Sequence, residues 1–409
     1  MLAGGASGAN TGTDLSLTFS LPPGMTYNSG SGSGWSCTST RCTYSNTINN
    51  GGSGNQRAVS GFGYDVFDNL VRVTDPKGLN TTYAYNALGN LTQLISPDTG
   101  TTTYGYDSAG NRTSQLDARG INSVYTYDAL GRLLTQQLPT TAQNVSFEYD
   151  TVPADCAVGE AFGVGRLARI TDESGSTRYC YDRRGNVVRK VQTVTGGSTG
   201  TVGATYDAAD RVTAITYPSG AIVTYLRNGN GQINRVDAVP STGASQVTLV
   251  SSASYLPFGP LGTLTFGNGR VLTKAYDQNY GIDKVSDSGT NGLSEDFTLN
   301  AVGNVTTLAE RTAGSTITTR TFTYDGLDRL TALKNGSTNV QSFTYDATGN
   351  RLTKKVGSTT TTNTYASTNH RLTKIGSTNL TYDGAGNTTK NGTPAFTYDD
   401  RNRLREYKS

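Results

Sequence analysis

Apolar and polar positions alternate along most of this chain. Stretches such as "SVYTYD" and "GRLLTQQL" repeat with period two, the spacing of a half-buried β-strand. No segment carries a persuasive apolar period of 3.6, so the pattern predicts almost no helix. Near the start, Leu15, Leu17 and Phe19 alternate ahead of a Pro22-Pro23-Gly24 turn, which reads as strand, turn, strand. The run "NNGGSGN" at Asn49–Asn55 reads as a linker or long turn. Two regions follow: a small β unit over residues 1–58 and a repeat array over residues 59–409.

The array is punctuated by one recurring phrase. "YDSAGNRTSQ" begins at Tyr106, "YDALGRLLTQ" at Tyr127, "YDRRGNVVRK" at Tyr181 and "YDATGNRLTK" at Tyr345. Tyr64, Tyr85, Tyr106 and Tyr127 stand 21 residues apart, and the next three intervals, to Tyr149, Tyr181 and Tyr206, are 22, 32 and 25 residues. Four residues after the tyrosine comes Gly89, Gly110, Gly131, Gly185, Gly349 or Gly386, or else Asp68, Asp210, Asp328 or Asn402. Gly, Asn and Asp are the residues that tolerate positive φ, so this slot is expected to be a left-handed turn position. The Asp after the tyrosine (Asp107, Asp128, Asp346 and their equivalents) is suited to accept turn amides. Each 21-residue unit then holds two strands of about 5–6 residues and two turns. A lone hairpin is unstable, so stacked hairpins should form one continuous coiling sheet, with Tyr and Asp in ladders along it.

Composition sharpens this picture. Only 34% of the 409 residues are hydrophobic, while 50 are glycine and 24 tyrosine. Thin, partly buried layers fit that balance better than one thick core. The net charge of +3, from 34 basic and 31 acidic residues, is too even to argue for nucleic acid or an anionic membrane. The basic end "RNRLREYKS" reads as a solvated strand face. No apolar run approaches the roughly 18–20 residues of a membrane-spanning helix, and no secretory leader is visible.

Candidate chemistry is sparse. The cysteines Cys37, Cys42, Cys156 and Cys180 lack zinc-ligand spacing. Four allow three pairings; Cys37 with Cys42 and Cys156 with Cys180 is the economical one, against four buried thiols. The single histidine, His370, aligns "YASTNHRLTK" with "YDALGRLLTQ", which places Asn369 in the turn slot and His370 where Arg132 stands. Nearly all aspartates belong to the repeated turn, and a residue needed once is not usually written eleven times. No catalytic constellation, metal site or cofactor is therefore expected.

The phrase "YDxxGN" or "YDxxGR" at this spacing resembles the YD repeats of the bacterial Rhs family, related to the shells of teneurins. "YLPFGPLGTLTFGNGRVLTKAYD" and "GVGRLARITDESGSTRYCYD" are similar to linker repeats of that family. The resemblance implies an all-β, spiralling antiparallel sheet forming a hollow shell or tube in a secreted or cell-surface protein, enclosing a C-terminal toxin in toxin members. A toxin core would end on a "DPxGL"-like self-cleavage segment. Here "DPKGLN" at Asp75–Asn80 lies near the start of the array and is expected to close an ordinary turn. With eleven residues after Tyr398, the expectation is a non-catalytic structural shell segment without cargo; the core of a polymorphic toxin is the alternative, then a glycan-binding adhesin. The expected partners are further copies, joined head to tail, and other surface proteins or glycans. The stretch "LTFSLPPGMTYNSGSGSGWSCTSTRCTYS" at Leu17–Ser45 resembles the latter half of a bacterial Ig-like surface repeat.

Overall fold

The structure is a computed structural model that describes residues 15–18, 31–32, 35–38, 41–44, 61–289, 292–311 and 316–409. The chain divides into two compact units, Met1–Arg57 and Ala58–Ser409. In the first, strands Leu15–Thr18, Ser31–Gly32, Trp35–Thr38 and Arg41–Tyr44 pair antiparallel, with the last lying between the first and third. Register sets Cys37 opposite Cys42. The side chains of this pair, and Phe19 with the proline turn, lie outside the described residues.

The second unit is one sheet of 32 antiparallel strands, each paired with its neighbours in chain order. The only helical element among the described residues is a 3-10 turn at Thr141–Gln143. Alternation explains the strands, but the core is thin: only seven described hydrophobic residues are fully buried, among them Ala168, Cys180 and Val191. Most side chains are half-buried, as expected where many small layers replace one thick interior.

Consecutive strands are joined alternately by a YD turn at one rim and by a second kind of turn at the opposite rim. No strand register joins the last strand, Leu404–Lys408, to the first, Gly61–Tyr64. The sheet instead winds past its own beginning. Late YD turns come to rest against early turns of the opposite rim, so that successive windings stack rim on rim. From strand Asn80–Tyr85 through strand Thr338–Tyr345 there are 23 strands per winding, and the same count runs from Gly100–Tyr106 through Thr359–Tyr365.

The long interval between Tyr149 and Tyr181 is an insertion in place of a YD turn. Asp150 donates its backbone N–H to Arg166 across its base. Cys156 and Cys180 are joined in a disulfide, and Cys180 is almost fully buried. The Arg189 guanidinium donates twice to the Glu160 carboxylate, at 2.7 and 2.8 Å, and fastens the insertion's far side to the sheet.

Candidate functional site

Each letter of the repeated phrase has a physical duty. At "YDALGR", Asp128 accepts the backbone N–H groups of Leu130 and Arg132 on Oδ1, both at 2.9 Å. Its Oδ2 accepts Nε of Arg132 at 2.6 Å. Where Asn replaces Arg, Nδ2 of Asn111 donates to Oδ2 of Asp107 at 3.0 Å, and Asn350 does the same to Asp346 at 3.0 Å. These donors hold the carboxyls below their ordinary range: for Asp107 the Asn111 side chain is the largest cause, for Asp128 the Arg132 backbone N–H.

The fifth letter is conformational. Gly89, Gly110, Gly131, Gly185, Gly349 and Gly386 have φ between +74° and +95°, and Asp68, Asp210, Asp328 and Asn402 between +60° and +63°. Each closes a turn followed by a bulge, with the register shifting beside the motif tyrosine, as at Thr126/Tyr127.

The tyrosine acts across repeats. The ladder between strands Arg112–Leu116 and Asn122–Tyr127 stops at Ser114 and Val124, short of Arg112. The Tyr127 hydroxyl donates to the Arg112 carbonyl at 2.8 Å and supplies a partner there. Tyr106 does the same to Leu91 at 2.8 Å and Tyr345 to Leu330 at 2.7 Å. Expected tyrosine ladders thus act through hydroxyl-to-carbonyl bonds. The sixth-letter arginine adds a second link, since the Arg132 guanidinium lies 4.5 Å from the Tyr149 ring centroid and Arg329 lies 4.9 Å from that of Tyr345.

Where windings meet, a polar seam forms. Lys77 Nζ lies 2.6 Å from Asp346 Oδ2. Burial pushes the Asp346 carboxyl up, but hydrogen bonds from Lys77, Asn350 and Thr348 outweigh it and hold it at about 2. Further along, the Arg119 guanidinium donates to the carbonyls of Asp399 and Asp400 at 2.8 and 2.9 Å. Thr140 N–H donates to Asp400 Oδ2 at 2.7 Å, and Asp400 N–H to Gln143 Oε1 at 2.9 Å. Arg401 reaches Asp172 at 3.2 Å and Glu173 at 2.5 Å, and Arg403 also meets Glu173. Gly384 permits the close approach: a Cβ there would sit 2.4 Å from the Ala118 carbonyl oxygen.

His370 lies in this seam, and its alignment needs correcting. The Tyr365 turn is one residue longer than its relatives, because Ala366 N–H donates to Arg371 O and Tyr365 registers with Leu372. Arg371, not His370, therefore takes the closing position, and Asn369 is not among the positive-φ residues. The extra residue carries His370 out to the other winding. Its backbone N–H donates to Asp98 Oδ1 at 2.6 Å and its Nδ1 lies 2.8 Å from Asp98 Oδ2. Nε2 lies 2.6 Å from Asp75 Oδ2 but off the hydrogen-bonding direction, and both atoms are buried without a hydrogen-bond partner. Asp75 begins the "DPKG" turn, where its Oδ1 accepts the N–H groups of Lys77 and Leu79, at 2.7 and 2.9 Å. The structure thus unites Asp75, Asp98, Asp346 and His370 in the seam, while Tyr106, Asp107, Tyr127 and Asp128 serve joints between repeats.

A cavity of about 780 Å³ lies beside the insertion, lined by Glu160, Arg189, Thr201, Tyr206 and Tyr217 among others. Its charged pair, Glu160 and Arg189, is already mutually satisfied. Among the described residues no cluster of His, Cys, Asp and Glu is arranged to hold a metal ion.

Comparison with known proteins places this architecture. The family model described as RHS Repeat matches residues 64–101 and 106–143, and that described as Teneurin YD-shell matches residues 271–409. Between them they span more than half of the chain, which belongs to the Rhs/YD-repeat family. Among solved structures, "Crystal Structure of TcdB2-TccC3" is similar with a TM-score of 0.74 at 17% identity, covering 85% of this chain and 21% of that one. "Structure of Photorhabdus luminescens Tc holotoxin pore, Mutation TccC3-D651A" gives a TM-score of 0.73 at 18% identity, covering 85% and 20%. The chain therefore spans about a fifth of the length of these relatives, and the likeness concerns the fold. No curated protein sequence matches.

Proposed function

We propose that this chain is a non-catalytic wall segment of a secreted or cell-surface YD-repeat shell. The observation that supports it most is the seam. A sheet that locks its windings together through Lys77–Asp346, Arg119–Asp400 and Arg401–Glu173 is built to hold a curved wall closed. The repeated residues are used up in turns and joints, which leaves no side-chain set free for chemistry among those described. The likeness to TccC3-containing structures favours one second reading, the encapsulating core of a polymorphic toxin whose other parts lie in further chain.

For assembly, support comes from the two outermost strands of the described sheet. Phe62 and Tyr64 on the first strand are 60% and 59% exposed, and Leu404 and Tyr407 on the last are 57% and 58% exposed. Unpaired ladder groups beside exposed apolar side chains recruit further strands. Copies are therefore proposed to join head to tail through these edges. Light scattering of the purified chain at micromolar concentration, together with negative-stain electron microscopy, tests both ideas. Hollow cross-sections and masses above one chain are expected. A solid particle overturns the shell, and a monomer at all concentrations overturns the assembly.

A further inference from the structure

The last third of the array carries lysines that no carboxylate meets. Lys334, Lys355, Lys374 and Lys390 lie on alternate strands, Leu330–Asn335, Arg351–Val356, Leu372–Ile375 and Thr388–Asn391. Register places them on one face. Residues directly opposite share a face, as do residues two apart on a strand. Ala332 faces Ser342, which faces Lys355, which faces Thr360. Thr364 faces Lys374, which faces Asn379, and Thr381 faces Lys390. Lys355, Lys374 and Lys390 are exposed and Lys334 is half-buried.

Elsewhere on the sheet some strand cations have partners, as Lys284 with Asp296 at 2.7 Å and Arg235 with Asp237 at 3.0 Å, while others such as Lys190 and Lys274 stand singly; only here, among the described residues, do unpaired lysines recur on alternate strands of one face. The four lysines have no ion pair among the described residues. Every acidic residue between Thr321 and Asp400 belongs to a turn, not to a strand of this face. Alternate strands put the lysines about 10 Å apart across the sheet, and the register staggers them by two to four residues along it, so successive ammonium groups lie on an oblique line at roughly 12–16 Å. The ground between them is hydroxyl-rich, with Thr344, Thr362, Thr364 and Thr381 all exposed.

We propose that this face binds an acidic polysaccharide lying across the strands. Its anionic groups meet successive lysines, and its sugar hydroxyls exchange hydrogen bonds with the threonine rows. The chemistry favours this ligand over two other polyanionic surfaces. Single-stranded nucleic acid wants aromatic platforms for its bases, and this face presents none at the paired positions. An anionic bilayer is held best when apolar side chains also insert, and here the positions between lysines are Thr, Ser, Asn and Ala. Counterion release would make the binding fall with salt.

The experiment uses the full chain and four probes: a heparin dodecasaccharide, an alginate oligosaccharide of equal length, an oligo-dT of equal charge, and vesicles containing phosphatidylserine. Affinity is measured by calorimetry at low and physiological salt. The sulfated or the carboxylated oligosaccharide should bind most tightly, and which of them leads identifies the anionic group. The triple variant Lys355→Thr, Lys374→Thr, Lys390→Thr places a residue already common on this face and should weaken that binding tenfold or more. Lys190→Thr, on a distant strand, should leave it unchanged. Circular dichroism of the triple variant guards against unfolding, and should it unfold, the three single variants carry the same test. The proposal is overturned if neither oligosaccharide binds at low salt, if folded lysine variants bind like the parent, or if oligo-dT or vesicles bind more tightly. None of these outcomes bears on whether the chain forms a hollow wall.

Discussion

Gly89 offers the cleanest test of why the repeat keeps its fifth letter. Its φ is +78°, and a Cβ added there would have nothing within 4 Å. Any cost of substitution is therefore backbone strain and not collision. The left-handed conformation costs an L-residue about 1–2 kcal/mol. Replacing Gly with Ala also narrows the unfolded ensemble, which returns about 0.4–1 kcal/mol. Gly89→Ala should then destabilise its turn by roughly 1 kcal/mol, about a fivefold rise in local opening. Gly89→Val should cost more, about 2 kcal/mol or above, because a branched Cβ tolerates this region least. Gly89→Asn should be nearly neutral, since Asn402 occupies the same slot at φ +63°. A repeat array need not unfold in one step, so the assay is native-state hydrogen exchange at the amides the turn protects. Those amides are Gly89 N–H on Asn86 O and Asn86 N–H on Asn90 O, each 3.0 Å long. If Asn proves as damaging as Val, or if all three variants exchange like the parent, strain is not what selects this residue.

Three other outcomes are expected. Tyr127→Phe strips the Arg112 carbonyl of its partner and should cost about 0.5–1.5 kcal/mol, read as faster exchange confined to the joint between these repeats; unchanged exchange would count against the cross-repeat role. Breaking the Cys156–Cys180 disulfide, which closes a separation of 24 residues, should release the insertion at a cost of about 3 kcal/mol in the chain-entropy estimate; peptide mapping without reduction and protease cleavage within residues 151–164 after reduction check it. Acid should loosen the seam: the folded Asp346 carboxyl, at about 2, lies below its ordinary value of 3.8, so its contribution is present above pH 4 and lost as pH falls toward 2. Protection at Lys77 and Asp346, corrected for the intrinsic slowing of amide exchange in acid, should fall over that window, and a flat protection profile down to pH 2 would refute the link.

The turn and the strands were legible in the sequence because their causes are local. Period-two alternation, an Asx acceptor and a positive-φ slot all act within six residues, and the six-letter phrase contains them entirely. The disulfide was open to inference because Cys156 with Cys180, beside Cys37 with Cys42, is the economical pairing of four cysteines. The seam was not legible, since Asp98 and His370 are 272 residues apart and Arg119 and Asp399 are 280 apart. One trace of it does exist. Most opposite-rim turns that touch the next winding are charged, "DPKG" at Asp75, "DARG" at Asp117 and "DESG" at Asp172, though the one at Thr140–Gln143 is not, whereas later ones such as "PSG" at Pro218 and "NGS" at Asn335 carry no charge. His370 misled the alignment because a one-residue insertion shifts a short phrase without disturbing its letters.

The rim-on-rim seam also makes the bore of this wall a discrete quantity. A YD rim meets the opposite rim only when a winding contains an odd number of strands, here 23. At about 4.8 Å per strand the circumference is on the order of 110 Å, giving a diameter of about 35 Å through the strand backbones. Gain or loss of one hairpin, two strands and some 21 residues, would change the girth by about 10 Å and bring a different set of turns face to face. Lys77 would then meet a neighbour of Asp346, and Arg119 a neighbour of Asp399. Repeat duplication in such a gene is therefore a change of calibre that succeeds only when the charges along the facing turns are re-matched at the same time.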